Sequence, residues 1–166
     1  QDLDKMVQDL STAATATRLV DLAFTAIDLI DRNLYERSCD VRWWATDADL
    51  VAAANGGDLA RASQRLGVIL DAYTVYSDIW LCDLSGNILC NGRPNQFDVR
   101  GQSTRAASWF APAVRLADGN EFVAGPIEVS PLLGGKETMA WATLLRKDGA
   151  LNGAPLGILV TQFDWK

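Results

Sequence analysis

The first 54 residues of the chain contain neither glycine nor proline, so nothing in them interrupts a helix. Apolar residues recur there at alternating three- and four-residue spacings from Leu3 to Leu34, broken only at Thr17 and Asp31. This spacing is typical of one face of an α-helix. It predicts one long helix over about residues 3–34, roughly 45 Å long at about 1.5 Å per residue. Residues 33–45 are predicted to continue it, directly or after a short kink.

The two halves of this predicted helix differ in their apolar stripe. The second half is expected to lie on the core of the domain. The first half has a narrower stripe of Leu3, Met6 and Leu10, which suits a partner helix from a second copy of the chain. The sequence therefore predicts a homodimer that forms through the N-terminal helix.

Two shorter helices are expected next. Asp47 can cap a helix that runs to residue 54, and the Asn55-Gly56-Gly57 segment then ends it. Asp58 can begin another helix that reaches about residue 72. Residues 1–72 are thus predicted to form a helical part.

From residue 73 the pattern changes to strands. Two apolar runs flank Ser85-Gly86-Asn87 and predict a β-hairpin, because glycine supplies the positive φ of a tight turn. Ser108 can cap a short helix over residues 109–116. Gly125-Pro126 predicts an edge strand or a bulge. The further strands are predicted at residues 122–129, 138–145 and 156–163. The whole chain, 1–166, is expected to be one α+β domain whose part 73–166 is a mostly antiparallel sheet of about five to six strands.

Several function classes have little support in this sequence. It contains no histidine, no CxxC pair, no phosphate-binding loop and no hydrolase motif, which argues against an enzyme, a metal site and a cofactor. The net charge is −6 without a Lys/Arg cluster, which argues against nucleic acid as a partner. Cys82 and Cys90 lie equally far from Gly86, so they are either a cross-strand disulfide or two small apolar strand residues, and the second is favoured.

The order of these segments resembles a single-Cache domain, the PAS-like sensor of bacterial receptors. The matching segments include a D-x-x-G-x-I hairpin, a W-[YF]-x-x-A element and a final G-x-L strand. Residues 33–47 are similar to sensor regions of methyl-accepting chemotaxis proteins. The matching residues are 76–80, 83–88, 109–113, 119–130 and 157–159.

This resemblance implies a periplasmic ligand-binding domain of a membrane-anchored chemoreceptor, with Gln1 following one membrane helix and Lys166 preceding the next. It also implies a small carboxylate as ligand. The alternative is an amino-acid-binding or ligand-free dimerisation module of a histidine kinase or diguanylate cyclase. Phe110 stands where many members have tyrosine, so one phenolic hydrogen bond is missing.

The candidate ligand-binding residues follow from side-chain chemistry and strand alternation. Arg105 and Arg115 can each hold a carboxylate through two hydrogen bonds, and Arg105 is favoured because it ends the polar loop. Trp80 and Trp141 are expected to form one side of a pocket, with Thr143 as a polar contact. For each residue the alternative is core packing or a solvated surface. The full predicted set is Tyr76, Trp80, Arg105, Trp109, Phe110, Arg115, Trp141 and Thr143.

Overall fold

A computed structural model describes residues 2–166, in which helices come first and a five-stranded sheet follows. This order confirms the predicted α+β class. The helices are α1 (Asp2–Trp44), α2 (Ala48–Ala54), α3 (Leu59–Ala72) and α4 (Phe110–Ala113), with short 3₁₀ turns at Pro131–Leu133 and Lys147–Gly149. The strands are β1 (Tyr76–Cys82), β2 (Ile88–Asn91), β3 (Val123–Ser130), β4 (Lys136–Arg146) and β5 (Pro155–Asp164).

Helix α1 has 43 residues and continues without a break through the predicted kink region. The chain divides into two compact units, residues 1–37 and 38–166. The expectation that the second half of the long helix lies on the core is wrong, since Val20, Phe24 and Ile27 are each more than half exposed. The unit 38–166 has a core of its own, to which only the last turns of α1 contribute, with Val41 and Trp44. No helix within residues 2–166 combines the length and the apolar character that a membrane span requires.

The ends of α2 and α3 are where the sequence predicts them. The side chain of Asp47 accepts hydrogen bonds from the backbone N–H groups of Asp49 and Leu50, and Asp58 accepts one from Arg61. Each carboxylate satisfies donors that have no partner inside the helix. The predicted Asp47 cap and the predicted start of a helix at Asp58 are confirmed.

The sheet is antiparallel throughout, in the order β2-β1-β5-β4-β3. The last strand of the chain therefore lies at the centre. Strand β3 is an edge strand, and its register shifts between Ala124 and Ile127, around Gly125-Pro126. Proline cannot donate to the ladder, so the predicted edge position and irregularity are both confirmed.

The β1–β2 hairpin brings its two cysteines near each other but not opposite. Cys82 pairs with Ile88 and Cys90 pairs with Leu81, and both thiols are free and buried. The interpretation as small apolar strand residues is confirmed. Gly86 has φ +88°, and a Cβ placed there would lie 2.9 Å from the Phe110 ring. Glycine is thus required for the turn and for its contact with α4.

Helix α4 is shorter than predicted and is not capped by Ser108. It covers only Phe110–Ala113, and its N-cap position is Trp109, whose side chain makes no capping bond. The Phe110 N–H already donates to Ala107 O, so the preceding turn uses the donor that a capping Ser108 would need.

Candidate functional site

The two faces of the sheet separate residues that the sequence analysis placed together. Trp80 pairs with Val160 of β5, and Trp141 pairs with Thr161. Successive residues of a strand point to opposite faces, so the two tryptophans lie on opposite faces of the sheet. The predicted pocket side made of Trp80 and Trp141 is therefore wrong.

A cavity of about 370 Å³ lies on the Trp80 face, and we call it the sheet-face pocket. Its volume is within the range of about 300–1,000 Å³ that is usual for small-molecule sites. Strands β1, β3, β4 and β5 and the segment before α4 contribute to it. Its lining consists of Trp80, Ser103, Thr104, Ala106, Ala107, Trp109, Glu128, Val129, Ser130, Pro131, Leu132, Thr138, Ala140 and Gln162.

Polar side chains form the floor of this pocket. Thr138 and Gln162 are 1% and 4% exposed, and the Thr138 hydroxyl donates to Gln162 Oε1 over 3.0 Å. Glu128, which is exposed, is the neighbour of Thr138 on β3. Ala140 has a side chain too small to fill the space above the sheet. A few buried polar groups in an otherwise apolar pocket are what fixes the orientation of a small polar ligand.

Two indole rings form the apolar sides. Trp80 and Trp109 are 3% and 2% exposed. The Trp80 Nε1–H donates to Asp78 Oδ2 over 3.1 Å, so this ring offers the pocket its apolar surface rather than its N–H. Trp109 packs edge-on against Phe110, with 6.3 Å between ring centroids. Phe110 belongs to the hydrophobic core behind the pocket and does not line it.

Asp78 joins β1 to the end of β2 and holds the Trp80 indole by a hydrogen bond. It is fully buried, and its carboxylate accepts five hydrogen bonds of 2.8–3.1 Å. Burial is the largest influence on this carboxyl group and raises its pKa, while the hydrogen bonds act in the opposite direction. The donors are the backbone N–H groups of Ile79, Gly92 and Arg93 and the side chains of Trp80 and Asn91.

The segment between β2 and α4 covers the pocket. The Thr104 hydroxyl donates to Gly86 O over 2.7 Å, and Ser103 forms a bridge with Asn87. These contacts tie the segment to the β1–β2 turn. Arg105 lies between two lining residues, Thr104 and Ala106, but its own side chain is exposed and does not line the pocket.

The charge of the pocket differs from what the sequence analysis expected. Among residues 2–166, Glu128 is the only charged residue in the lining. Arg115 is exposed after α4 and lies outside the lining. Neither predicted arginine lines the pocket: Arg105 is flanked in sequence by two lining residues, and Arg115 is not.

Three other predicted site residues lie away from the pocket. Each of them contacts another residue of the chain outside the pocket lining. The Tyr76 hydroxyl donates to Asp40 Oδ2 over 2.6 Å. The Thr143 hydroxyl donates to Glu121 O over 2.8 Å. Trp141 packs against Phe122, with 5.7 Å between centroids. Of the predicted set, the structure brings only Trp80 and Trp109 into the lining.

The polar floor, which is formed mainly by Thr138 and Gln162, is not among the sites predicted from the sequence. These residues are 24 positions apart and meet only because β4 pairs with β5. One signal was present: Thr138, Ala140 and Ala142 alternate along β4 and are all small, which leaves space on that face.

No protein-family model and no curated protein matches the chain. Several solved structures are similar to the chain. The chain is similar to the sensor domain of the V. cholerae histidine kinase DctB, with 16% identity, a TM-score of 0.65, and coverage of 81% of this chain and 50% of that one. It is similar to the ligand-binding domain of the Pseudomonas fluorescens chemoreceptor CtaA in complex with L-serine, with 17% identity, a TM-score of 0.60, and coverage of 82% and 53%.

A third similar structure is the ligand-binding domain of the Campylobacter jejuni chemoreceptor Tlp3 in complex with 4-methylisoleucine. The identity is 11%, the TM-score is 0.60, and 83% of this chain and 52% of that one are covered. The chain thus spans about half the length of these structures. The fold is that of the Cache-type sensor domains of chemoreceptors and histidine kinases, as the sequence resemblance implied.

Proposed function

We propose that this chain is a single Cache-type sensor domain, residues 1–166, which lies outside the cytoplasm as part of a membrane-anchored receptor. It holds a small organic ligand in the sheet-face pocket. The observation that carries the proposal is the pocket itself: about 370 Å³, with a buried Thr138–Gln162 floor and sides formed by Trp80 and Trp109. We further propose that the domain lies in the periplasm and that the receptor acts in chemotaxis.

The ligand class that suits this pocket best is a small carboxylate that also carries an amine, which is an amino acid. Glu128 is the charged residue of the lining and can accept hydrogen bonds from an ammonium group. We propose that Arg105, which is flanked by the lining residues Thr104 and Ala106, binds the carboxylate with its planar guanidinium. A simple carboxylate without an amine leaves Glu128 unpaired and brings two negative charges together. CtaA in complex with L-serine and Tlp3 in complex with 4-methylisoleucine support the amino-acid class.

Signalling in this proposal is a shift between two arrangements of the sensor, which the bound ligand favours unequally. The N-terminal part of α1 suits a homodimer contact, because Leu3, Met6 and Leu10 are 72%, 70% and 75% exposed. Exposed apolar side chains at this spacing are typical of a helix that pairs with another helix. The output domain is that of a chemoreceptor or, alternatively, a histidine kinase or diguanylate cyclase.

The test is isothermal titration calorimetry with two ligand panels. One panel contains the common L-amino acids, and the other contains formate, acetate, propionate, pyruvate and lactate. We expect an amino acid to bind with a Kd in the micromolar to millimolar range. Replacing one charged hydrogen-bonding group, in Glu128→Gln or Arg105→Gln, should weaken binding about ten- to a hundredfold.

Arg115→Gln is the matched control, because Arg115 is also an exposed arginine near α4 but does not line the pocket. Its affinity should equal that of the wild type. Binding of simple carboxylates with an unchanged affinity in Glu128→Gln would overturn the amino-acid class. No heat in either panel would favour a ligand-free dimerisation module.

A further inference from the structure

A second, smaller cavity lies beside the last turn of α1 and the end of β4. Its volume is about 120 Å³, and it shares no lining residue with the sheet-face pocket. The residues that matter for its chemistry are Arg42, Thr46, Gly119 and Arg146. Two arginines thus border one small cavity.

Arg146 is a buried cation without an acidic partner. It is 5% exposed, and its Nη1 and Nη2 atoms donate to the carbonyl oxygens of Gly153 and Leu116 over 3.1 and 3.0 Å. Its Nε–H is buried and has no hydrogen-bond acceptor among residues 2–166. Burying a charge is costly unless an opposite charge compensates it. No acidic group of residues 2–166 neutralises the charge of Arg146.

Arg42 is held in the same way, by neutral groups. Its Nε donates to Ser38 O over 2.9 Å, its Nη1 donates to Asn120 O over 3.2 Å, and its guanidinium lies 5.3 Å from the centre of the Phe122 ring. No carboxylate of residues 2–166 forms an ion pair with it, whereas Arg61, Arg65 and other arginines do have such partners. The guanidinium is positioned, but its charge is not neutralised.

The cavity lining contains no acidic residue within the described part of the chain. Asp118 and Asp148 are adjacent in sequence to lining glycines but do not line the cavity, and Asp118 accepts a bond from the Asn120 N–H. The volume corresponds to roughly four water molecules at about 30 Å³ each, which suits a single oxyanion.

We propose that this cavity binds a small oxyanion, which is phosphate, sulfate or a small carboxylate, between Arg42 and Arg146. The planar guanidinium group matches the spacing of oxyanion oxygens and is the usual partner for such groups. The anion supplies the missing counter-charge and joins the last turn of α1 to the end of β4. This site is independent of the amino-acid proposal, because the two cavities have separate linings.

The test is thermal denaturation of the whole domain in phosphate, sulfate or acetate, with chloride used to hold the ionic strength constant. At about 20 mM of an anion that binds with a millimolar Kd, the Tm of the wild type should rise by about 3–6 °C. Comparison of the three anions identifies which oxyanion the site prefers. Calorimetric titration with the same salts checks that the rise reflects binding.

Variants separate binding in this cavity from general salt effects. Arg42→Met and Arg146→Lys should each lose most of the rise, while Arg115→Met, a surface control, should keep it. Arg42 is only partly buried, so Arg42→Met decides the matter if Arg146→Lys fails to fold. An equal rise in Arg42→Met and the wild type, or no rise with any of the anions, would overturn the proposal. The role of the two arginines would then be limited to hydrogen bonds with carbonyl oxygens.

Discussion

Replacing Asp78 by asparagine tests how much this buried carboxylate, which holds the Trp80 indole, stabilises the domain. Its Oδ1 accepts from the backbone N–H groups of Ile79, Gly92 and Arg93, and its Oδ2 accepts from Trp80 Nε1 and Asn91 Nδ2. An asparagine keeps the shape and one acceptor oxygen. If this oxygen takes the Oδ1 position, the new NH₂ group faces two other donors.

The expected loss of stability follows from those two donors. Each buried donor without an acceptor costs about 1–3 kcal/mol, so two cost about 2–6 kcal/mol. The neutral amide is easier to bury than the carboxylate, whose pKa burial raises, and this offsets part of the loss. We expect Asp78→Asn to lower the free energy of unfolding by about 2–4 kcal/mol, which corresponds to a Tm lower by about 5–15 °C.

The assay is urea denaturation followed by tryptophan fluorescence, because Trp80 donates directly to Asp78. Asp98→Asn is the matched control, since Asp98 is an exposed carboxylate in the segment after β2, which also contains the Asp78 donors Gly92 and Arg93. Its effect should stay within about 0.5 kcal/mol. A loss in Asp78→Asn below about 1 kcal/mol would refute the reasoning, because it would mean that these hydrogen bonds are readily replaced.

Three further predictions concern other parts of the chain. Leu10→Asp should weaken self-association in sedimentation experiments and leave the main unfolding transition unchanged, since Leu10 is 75% exposed; a general loss of folding would contradict this. Gly86→Ala should destabilise by about 1–3 kcal/mol in denaturant titrations because of its φ of +88°, and a neutral effect would show that the turn adapts. Burial raises the pKa of the Cys82 and Cys90 thiols to about 12, so only Cys39 should react with a thiol reagent near about pH 8, and fast reaction of all three would disprove their burial. Because these two pKa values are raised above 9.0, the stability that they contribute is present below that pH and is lost as the pH rises toward 12.

Local signals in the sequence predicted the helical part well. Asp47 and Asp58 act on donors two or three residues away, so a helix cap can be recognised without knowledge of the fold. The environment of α1 is different, because it depends on what the rest of the chain covers. The stripe that includes Val20 and Phe24 has the same spacing whether it is buried or exposed, and the structure leaves it exposed.

The residues that form the candidate site could not be predicted from the alternation of side chains along single strands, because the site also depends on how the strands pair. Trp80 and Trp141 lie on strands that both pair with β5, and the register of that central strand decides which face each indole occupies. A shift of one residue moves every side chain to the other face. Trp80 and Trp109 were identified from their residue type, but Thr138 and Gln162 became visible only once the strand order was known.

The most direct test of the central claim, that the sheet-face pocket holds the ligand, is to fill the pocket and measure binding. Ala106 lines the pocket, whereas Ala111 does not, and both are exposed, so Ala106→Trp and Ala111→Trp form a matched pair. Calorimetric titration with the amino acid that binds the wild type should show at least about tenfold weaker binding in Ala106→Trp and unchanged binding in Ala111→Trp. Equal affinity in Ala106→Trp and the wild type would contradict the account and place the ligand elsewhere on the domain.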